Sequence, residues 1–146
     1  MTVELCSSLC VPGKGLYVRT CVDAVNVRRL RQAEDAGDTL PPIVVARQGR
    51  VIVDGVHRYE MVRRRDGDEA RIDVEWRDYD RKRDIFADMI RLNTAHGKQL
   101  AAYDHARIVS IAKRHGLGLA VLAGLLRMPE GELQALLRRM MWTPDD

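Results

Sequence analysis

The stretch that most restricts the fold is Val51-Ile52-Val53-Asp54-Gly55-Val56-His57-Arg58, running on into Tyr59-Glu60-Met61-Val62-Arg63-Arg64-Arg65. Three consecutive β-branched apolar residues predict a buried strand. Asp54-Gly55 is a turn signal. Beyond it Tyr59 and Val62 fall on one helical face among charged residues, and the run stops at Asp66-Gly67-Asp68. A strand therefore passes through a glycine turn into a helix N-terminus. Unpartnered backbone N–H groups and the positive end of the helix dipole meet there, which favours an anion. Arg58, in the first helical turn, carries the planar fork that fits a phosphate or a carboxylate.

The flanking pattern alternates strands and helices. Residues 1–15 read as an irregular lead-in, and Gly13-Lys14-Gly15 is too short for a P-loop. Residues 16–22 alternate as a half-buried strand. Residues 25–36 have helical spacing at Val27, Leu30 and Ala33, and Gly37 closes them. Pro41-Pro42 feeds a second strand, Ile43-Val44-Val45-Ala46. Gln48-Gly49 is a hairpin turn into the strand at 50–53, and residues 72–76 alternate strictly as a fourth strand. Residues 84–92 place Ile85, Phe86, Met89 and Ile90 on one helical face, followed by a polar, helix-ending loop, Asn93-Thr94-Ala95-His96-Gly97. From Ala101 strand signals vanish. Helices are expected at 104–115, 119–127 and 130–140, with Met128-Pro129 as the turn between the last two and 142–146 as a tail. A short helix, a tight turn and an amphipathic helix form a helix-turn-helix pattern, with Ala123 at the close crossing and Leu133 buried.

A chain of 146 residues can bury one core, or a small core with a helical extension. With 46% hydrophobic and 31% charged residues it is neither disordered nor a membrane protein by composition. No apolar run approaches the roughly 20 residues of a membrane span. The first residues have no basic stretch followed by an apolar block, so a secretory leader is not expected, and the cytoplasm is the expected compartment. A net charge of +3 permits nucleic acid as a partner without requiring it. Nearly all the basic residues are arginine, which suits phosphate recognition or reflects codon usage. Cys6, Cys10 and Cys21 lack a second ligand pair and a neighbouring histidine, so they read as reduced cysteines rather than a zinc site.

Strand, helix, Pro-Pro-Ile-Val-Val, hairpin, Asp-Gly-x-His-Arg on a helix, strand, helix, Asn-x-x-His-Gly, then helix-turn-helix: this order resembles the ParB/sulfiredoxin superfamily. Within it the chain is similar to ParB-like DNA-binding proteins, including actinobacterial transcriptional activators. The resemblance covers residues 16–140. It implies an α+β ParB/sulfiredoxin-like domain at 16–97, followed by an all-α helix-turn-helix domain at 98–141. It also implies a nucleotide or phosphate pocket built by Gly55, His57, Arg58, Asn93 and His96, with CTP, ATP or ADP and Mg²⁺ as the possible cofactors. Sulfiredoxin carries a nucleophilic Cys where Val56 stands, so sulfinic-acid reduction is not expected. Partition ParB proteins hold CTP and magnesium with a later Glu-Asn-x-x-Arg. Here Asn93 is retained, but Leu92 and His96 replace the Glu and the Arg. Free-serine kinases of this fold also carry an Asp-Gly-x-x-Arg segment.

Each candidate also has a structural role open to it. Gly55 serves a close ligand approach or a positive φ. Arg58 binds phosphate or clamps Asp54 or Glu60. His57 is a proton shuttle, a phosphate donor, a metal ligand or a hydrogen-bonded structural histidine; a metal would need a third ligand, for which Asp54 is the candidate, and no metal site is assigned. Arg63-Arg64-Arg65 tracks phosphate or caps a solvated helix end. In the last helix Gln134 is suited to an adenine, and Arg127, Arg138 and Arg139 to the DNA backbone. Glu130-Gly131-Glu132 at its start repels phosphate. The helical region is otherwise a packing subdomain or a homodimer surface. The leading expectation is a DNA-binding regulator or partition-like protein. Binding at the Asp54–Arg58 turn would then order residues 93–97 and set the helical domain. The alternative is a nucleotide-dependent enzyme, a kinase, CTPase or nuclease, with Asp54, His57, Glu60 and His96 as candidate catalytic groups.

Overall fold

The computed structural model describes residues 2–13, 23–95 and 102–141. The strand expected at 16–22, His96, Gly97, Cys21 and the tail lie outside them. Packing divides the chain into two units after Asp80.

The first unit contains β1 (Thr2–Leu5), α1 (Ala24–Asp35), β2 (Ile43–Ala46), β3 (Ile52–Asp54), α2 (Val56–Asp66) and β4 (Arg71–Arg77). Its sheet runs in the order β1-β4-β2-β3. β2 and β3 form the expected antiparallel hairpin, and β2 lies parallel to β4 with Ile43 opposite Val74. The continuous apolar run of β2 is buried throughout. β4 instead alternates, burying Ile72 and Val74 and exposing Asp73 and Glu75.

The lead-in at 1–15 is not irregular throughout. Thr2–Leu5 forms an edge strand antiparallel to β4, and Cys6–Ser8 follows as a 3-10 turn. Four alternating residues are too few to signal a strand by themselves. Their conformation is set by a partner some seventy positions away (Thr2 opposite Val74). Cys6 N–H then donates to Ala70 O (2.8 Å), and Trp76 Nε1 donates to Thr2 Oγ1 (2.8 Å). Arg50 ties the segment down from the hairpin, with Nε on Ser8 O (2.7 Å) and Nη2 on Glu4 (3.1 Å). Arg50 sits at φ 55°, a left-handed conformation that costs a non-glycine residue about 1–2 kcal/mol. Its guanidinium, stacked 4.9 Å over the Trp76 ring, offsets that cost.

The second unit holds α3 (Lys82–Ala95), α4 (Ala102–Arg114), α5 (Leu119–Leu126) and α6 (Glu130–Met141). α3 packs on α4 and α5, so it belongs with the helices, and the packing boundary falls after Asp80 rather than at 97. Its apolar face, Ile85, Phe86, Met89 and Ile90, is buried as its spacing predicts. Asn93-Thr94-Ala95 does not end the helix as a loop. Asn93 Nδ2 donates to Met89 O (2.7 Å) and Thr94 Oγ1 to Ile90 O (2.8 Å). These bonds one turn back absorb the polar side chains into α3. α5 ends on Arg127 at φ 55°, whose N–H reaches Ala123 O and Gly124 O. α5 packs against both α3 and α6, and Leu122, Ala123, Leu126 and Leu133 are buried.

Candidate functional site

β3 delivers Asp54, Gly55 turns the chain at φ 104°, ψ 24°, and α2 begins at Val56. A Cβ at Gly55 would stand 2.4 Å from Ile43 Cγ2 and 3.0 Å from Arg58 Nη2. Glycine is therefore required twice, for the left-handed backbone and for the closeness of Ile43. Arg58 lies back across this turn. Its Nη1 donates to Pro41 O (2.6 Å) and Pro42 O (3.1 Å), and its Nη2 to Asp54 Oδ2 (3.1 Å). Of the two expected roles, the clamp on Asp54 is the one occupied here. The guanidinium also fastens the α1–β2 connector.

His57 is buried, and its Nε2 accepts the Asp23 backbone N–H (3.1 Å). That geometry assigns the ring proton to Nδ1. Asp23 is the N-cap of α1, and its carboxylate accepts from Val25 N–H (2.9 Å). His57 on α2 thus fixes the start of α1. Glu60 is buried and paired with Arg63 (3.0 Å) and Arg64 (3.4 Å). Its bond to Arg63 holds that guanidinium above its ordinary pKa. Arg65 pairs with Glu34 and Asp66, and Arg63 also reaches Asp68 (3.6 Å). The Arg63-Arg64-Arg65 run is neutralised in place rather than presented as a phosphate track. Asp54, Gly55, His57 and Arg58 are brought together in the first unit, while Asn93 lies on α3 in the second. Among the described residues no group of three His, Cys, Asp or Glu is placed to hold a metal.

The two units differ in charge. In the first, eleven arginines face fourteen carboxylates among the described residues. Most of those arginines are ion-paired; Arg28, Arg29 and Arg71 have no ion pair among the described residues. In the second, ten lysines and arginines face five carboxylates, two of which, Asp88 and Asp104, are buried. Arg81, Lys82 and Arg83 at the start of α3, Lys113 and Arg114 in the last turn of α4, Arg127 after α5, and Arg138 and Arg139 in the last turn of α6 are all exposed. None of these has an ion pair among the described residues. Gln134 is exposed on the same face as Arg138, four residues on. The sequence reading singled out Arg127, Gln134, Arg138 and Arg139 but not Lys113-Arg114. That dipeptide counts among the exposed cations of the helical unit only once it is known to lack an acidic partner among the described residues. The exposed Glu130 and Glu132 fall in the first turn of α6, where they suit the helix dipole.

An α+β unit with a β1-β4-β2-β3 sheet, followed by a helical unit, is a ParB-like fold. Solved structures carry the likeness. The N-domain of a pNOB8-like ParB aligns at a TM-score of 0.60 with 14% identity, over 77% of this chain and 44% of that one. The chromosome-partitioning protein ParB from Caulobacter crescentus, complexed to the centromeric parS site, aligns at 0.67 with 13% identity, over 99% of this chain and 74% of that one. The same protein complexed with CTP-gamma-S aligns at 0.53 with 12% identity, over 99% of this chain and 80% of that one. This chain therefore spans less than half the length of the pNOB8-like protein. No family model matches the sequence, and no curated protein matches it by sequence. No helix among the described residues is long and apolar enough to cross a membrane.

Proposed function

We propose that this chain is a DNA-binding protein of ParB-like fold, a transcriptional regulator or partition-like protein, that also takes a nucleotide or phosphate at the Asp54–Arg58 turn. The observation that carries the DNA reading is the segregation of charge. Exposed cations without acidic partners collect on the helical unit, which includes the helix-turn-helix elements α5 and α6. Such cations neutralise phosphates and release counterions, whereas the ion-paired arginines of the first unit have already given up that capacity. Arg127, Arg138 and Arg139 hold the backbone in this reading, with Lys113 and Arg114 added to them. Gln134 is the side chain suited to a base edge. Binding of a fluorescent duplex, read by anisotropy, should weaken with salt at a log–log slope of about 3–6. Arg138→Glu with Arg139→Glu should abolish most of that binding, and Arg64→Glu should leave it intact. Salt-independent binding, or none, would sink the reading. Sedimentation of the complex reports whether the chain binds as a homodimer.

The nucleotide reading is supported by the left-handed Gly55, by the guanidinium already lying at the α2 N-terminus, and by a structural neighbour solved with CTP-gamma-S. Were a Mg²⁺ to enter with the nucleotide, Asp54 is the carboxylate at the turn that would help hold it, beside the nucleotide's own phosphates. The pairing of Asp54 with Arg58 and of Glu60 with Arg63 and Arg64 leaves the enzymatic alternative without an unpaired carboxylate at the turn, so its general base would have to be His57 or His96. Turnover of CTP, ATP or ADP with magnesium, with and without serine, would establish it.

A further inference from the structure

We infer that the Asp54–Arg58 turn is a self-closed anion site, in which the chain's own oxygens stand where a ligand's phosphate oxygens would. The inference rests on the nucleotide reading above and adds its regulation. Arg58 spends its two terminal nitrogens on three oxygen acceptors, Pro41 O at 2.6 Å, Pro42 O at 3.1 Å and Asp54 Oδ2 at 3.1 Å. Its side chain is 14% exposed. Three converging oxygens, one of them anionic, are what one face of a phosphate group offers a guanidinium. The absent Cβ of Gly55 lets Arg58 and Ile43 close to this distance.

The acceptors on the strap are its anchor. Residues 39–42 join the end of α1 to β2. Among the described residues, Arg58 makes the only hydrogen bonds these four positions receive. The prolines bring no N–H of their own. Leu40 and Pro42 are half-buried, and Thr39 and Pro41 are exposed. A phosphate that recruits Arg58 therefore does two things together. It displaces the Asp54 carboxylate, a like charge competing for the same fork, and it frees the strap from its hydrogen-bonded tether. Ligand affinity and strap mobility are linked through one side chain, so each must shift the other.

Two consequences separate this from a site in which Asp54 serves the ligand. Asp54→Asn keeps the shape and removes the competing charge, so affinity for inorganic pyrophosphate and for CTP, both measured in the presence of magnesium, should rise severalfold to tenfold. A magnesium-holding Asp54 predicts a loss instead. Backbone ¹⁵N relaxation at Thr39 and Leu40 reads the strap directly. Arg58→Lys, which keeps a cation but loses the fork, should lower the heteronuclear NOE at both. Saturating pyrophosphate should do the same to the unaltered protein while shifting the Gly55 amide. Rigid Thr39 and Leu40 in Arg58→Lys would overturn the tether. A shifted Gly55 with an unmoved strap, or weaker binding in Asp54→Asn, would overturn the competition. If pyrophosphate and CTP leave Gly55 unmoved, the nucleotide reading fails and the linkage with it, while the Arg58→Lys arm still reports whether the strap is tethered. Should Arg58→Lys fail to fold, Arg58→Gln carries the same measurement.

Discussion

Around Gly55 the backbone has no room and no alternative conformation. Gly55→Ala must relieve a 2.4 Å approach to Ile43 while holding a φ of 104°. A loss of about 2–4 kcal/mol in urea unfolding is expected, from overpacking added to left-handed strain. A smaller change would mean that β2 shifts easily. The buried thiol and phenol beside β1 make a second residue-level prediction. Burial raises both the Cys6 thiol and the Tyr59 hydroxyl, whose proton is donated to Cys6 O (3.1 Å). The folded chain then keeps protons that the unfolded chain releases, so the unfolded state binds fewer. Stability should be flat across neutral pH and fall above about pH 9, where an ordinary thiol ionises. The fall should continue through the phenol range. Urea midpoints between pH 7 and 10.5 test this, and Cys6→Ala should remove the first part of the decline. Site-resolved alkylation should modify exposed Cys10 well before buried Cys6.

At the scale of elements, helices and the central strands were legible because their signals are local. The periodicity of α3, the stop at Gly67 and the Pro-Pro entry to β2 each sit within one turn or one strand of the residues they govern. What escaped was non-local. β1 is a strand because β4 is there to pair with it. Asn93 and Thr94 look like loop residues until their side chains bond back to Met89 and Ile90. The Asp54–Arg58 turn was readable as a strand–glycine–helix unit. Its hydrogen bonds were not, because Pro41, Pro42 and Asp23 are brought to Arg58 and His57 by packing. Leu133, fully buried on α6, should cost about 2–5 kcal/mol as Leu133→Ala in a thermal or urea melt. Exposed Gln134→Ala next to it should stay within about 0.5 kcal/mol. A reversed order would move α6 out of the position described.

For the molecule as a whole, net charge misleads. A total of +3 hides an acidic-excess unit whose arginines are mostly paired and a basic-excess unit whose cations are mostly not. Charge reversal should therefore act by location rather than by number. Lys113→Glu with Arg114→Glu should weaken duplex binding about as much as any other pair on the helical unit. Arg63→Glu should instead lower the melting temperature through Glu60, leaving binding unchanged. The edge position of β1 carries a further consequence, in time rather than energy. Within this sheet β1 leaves the ribosome before its partner β4 and must wait for it. At about 5–20 residues per second the wait is roughly 4–15 s. Through that interval the Cys6 thiol, sealed in the finished sheet, stands open to oxidants and to any other nascent strand.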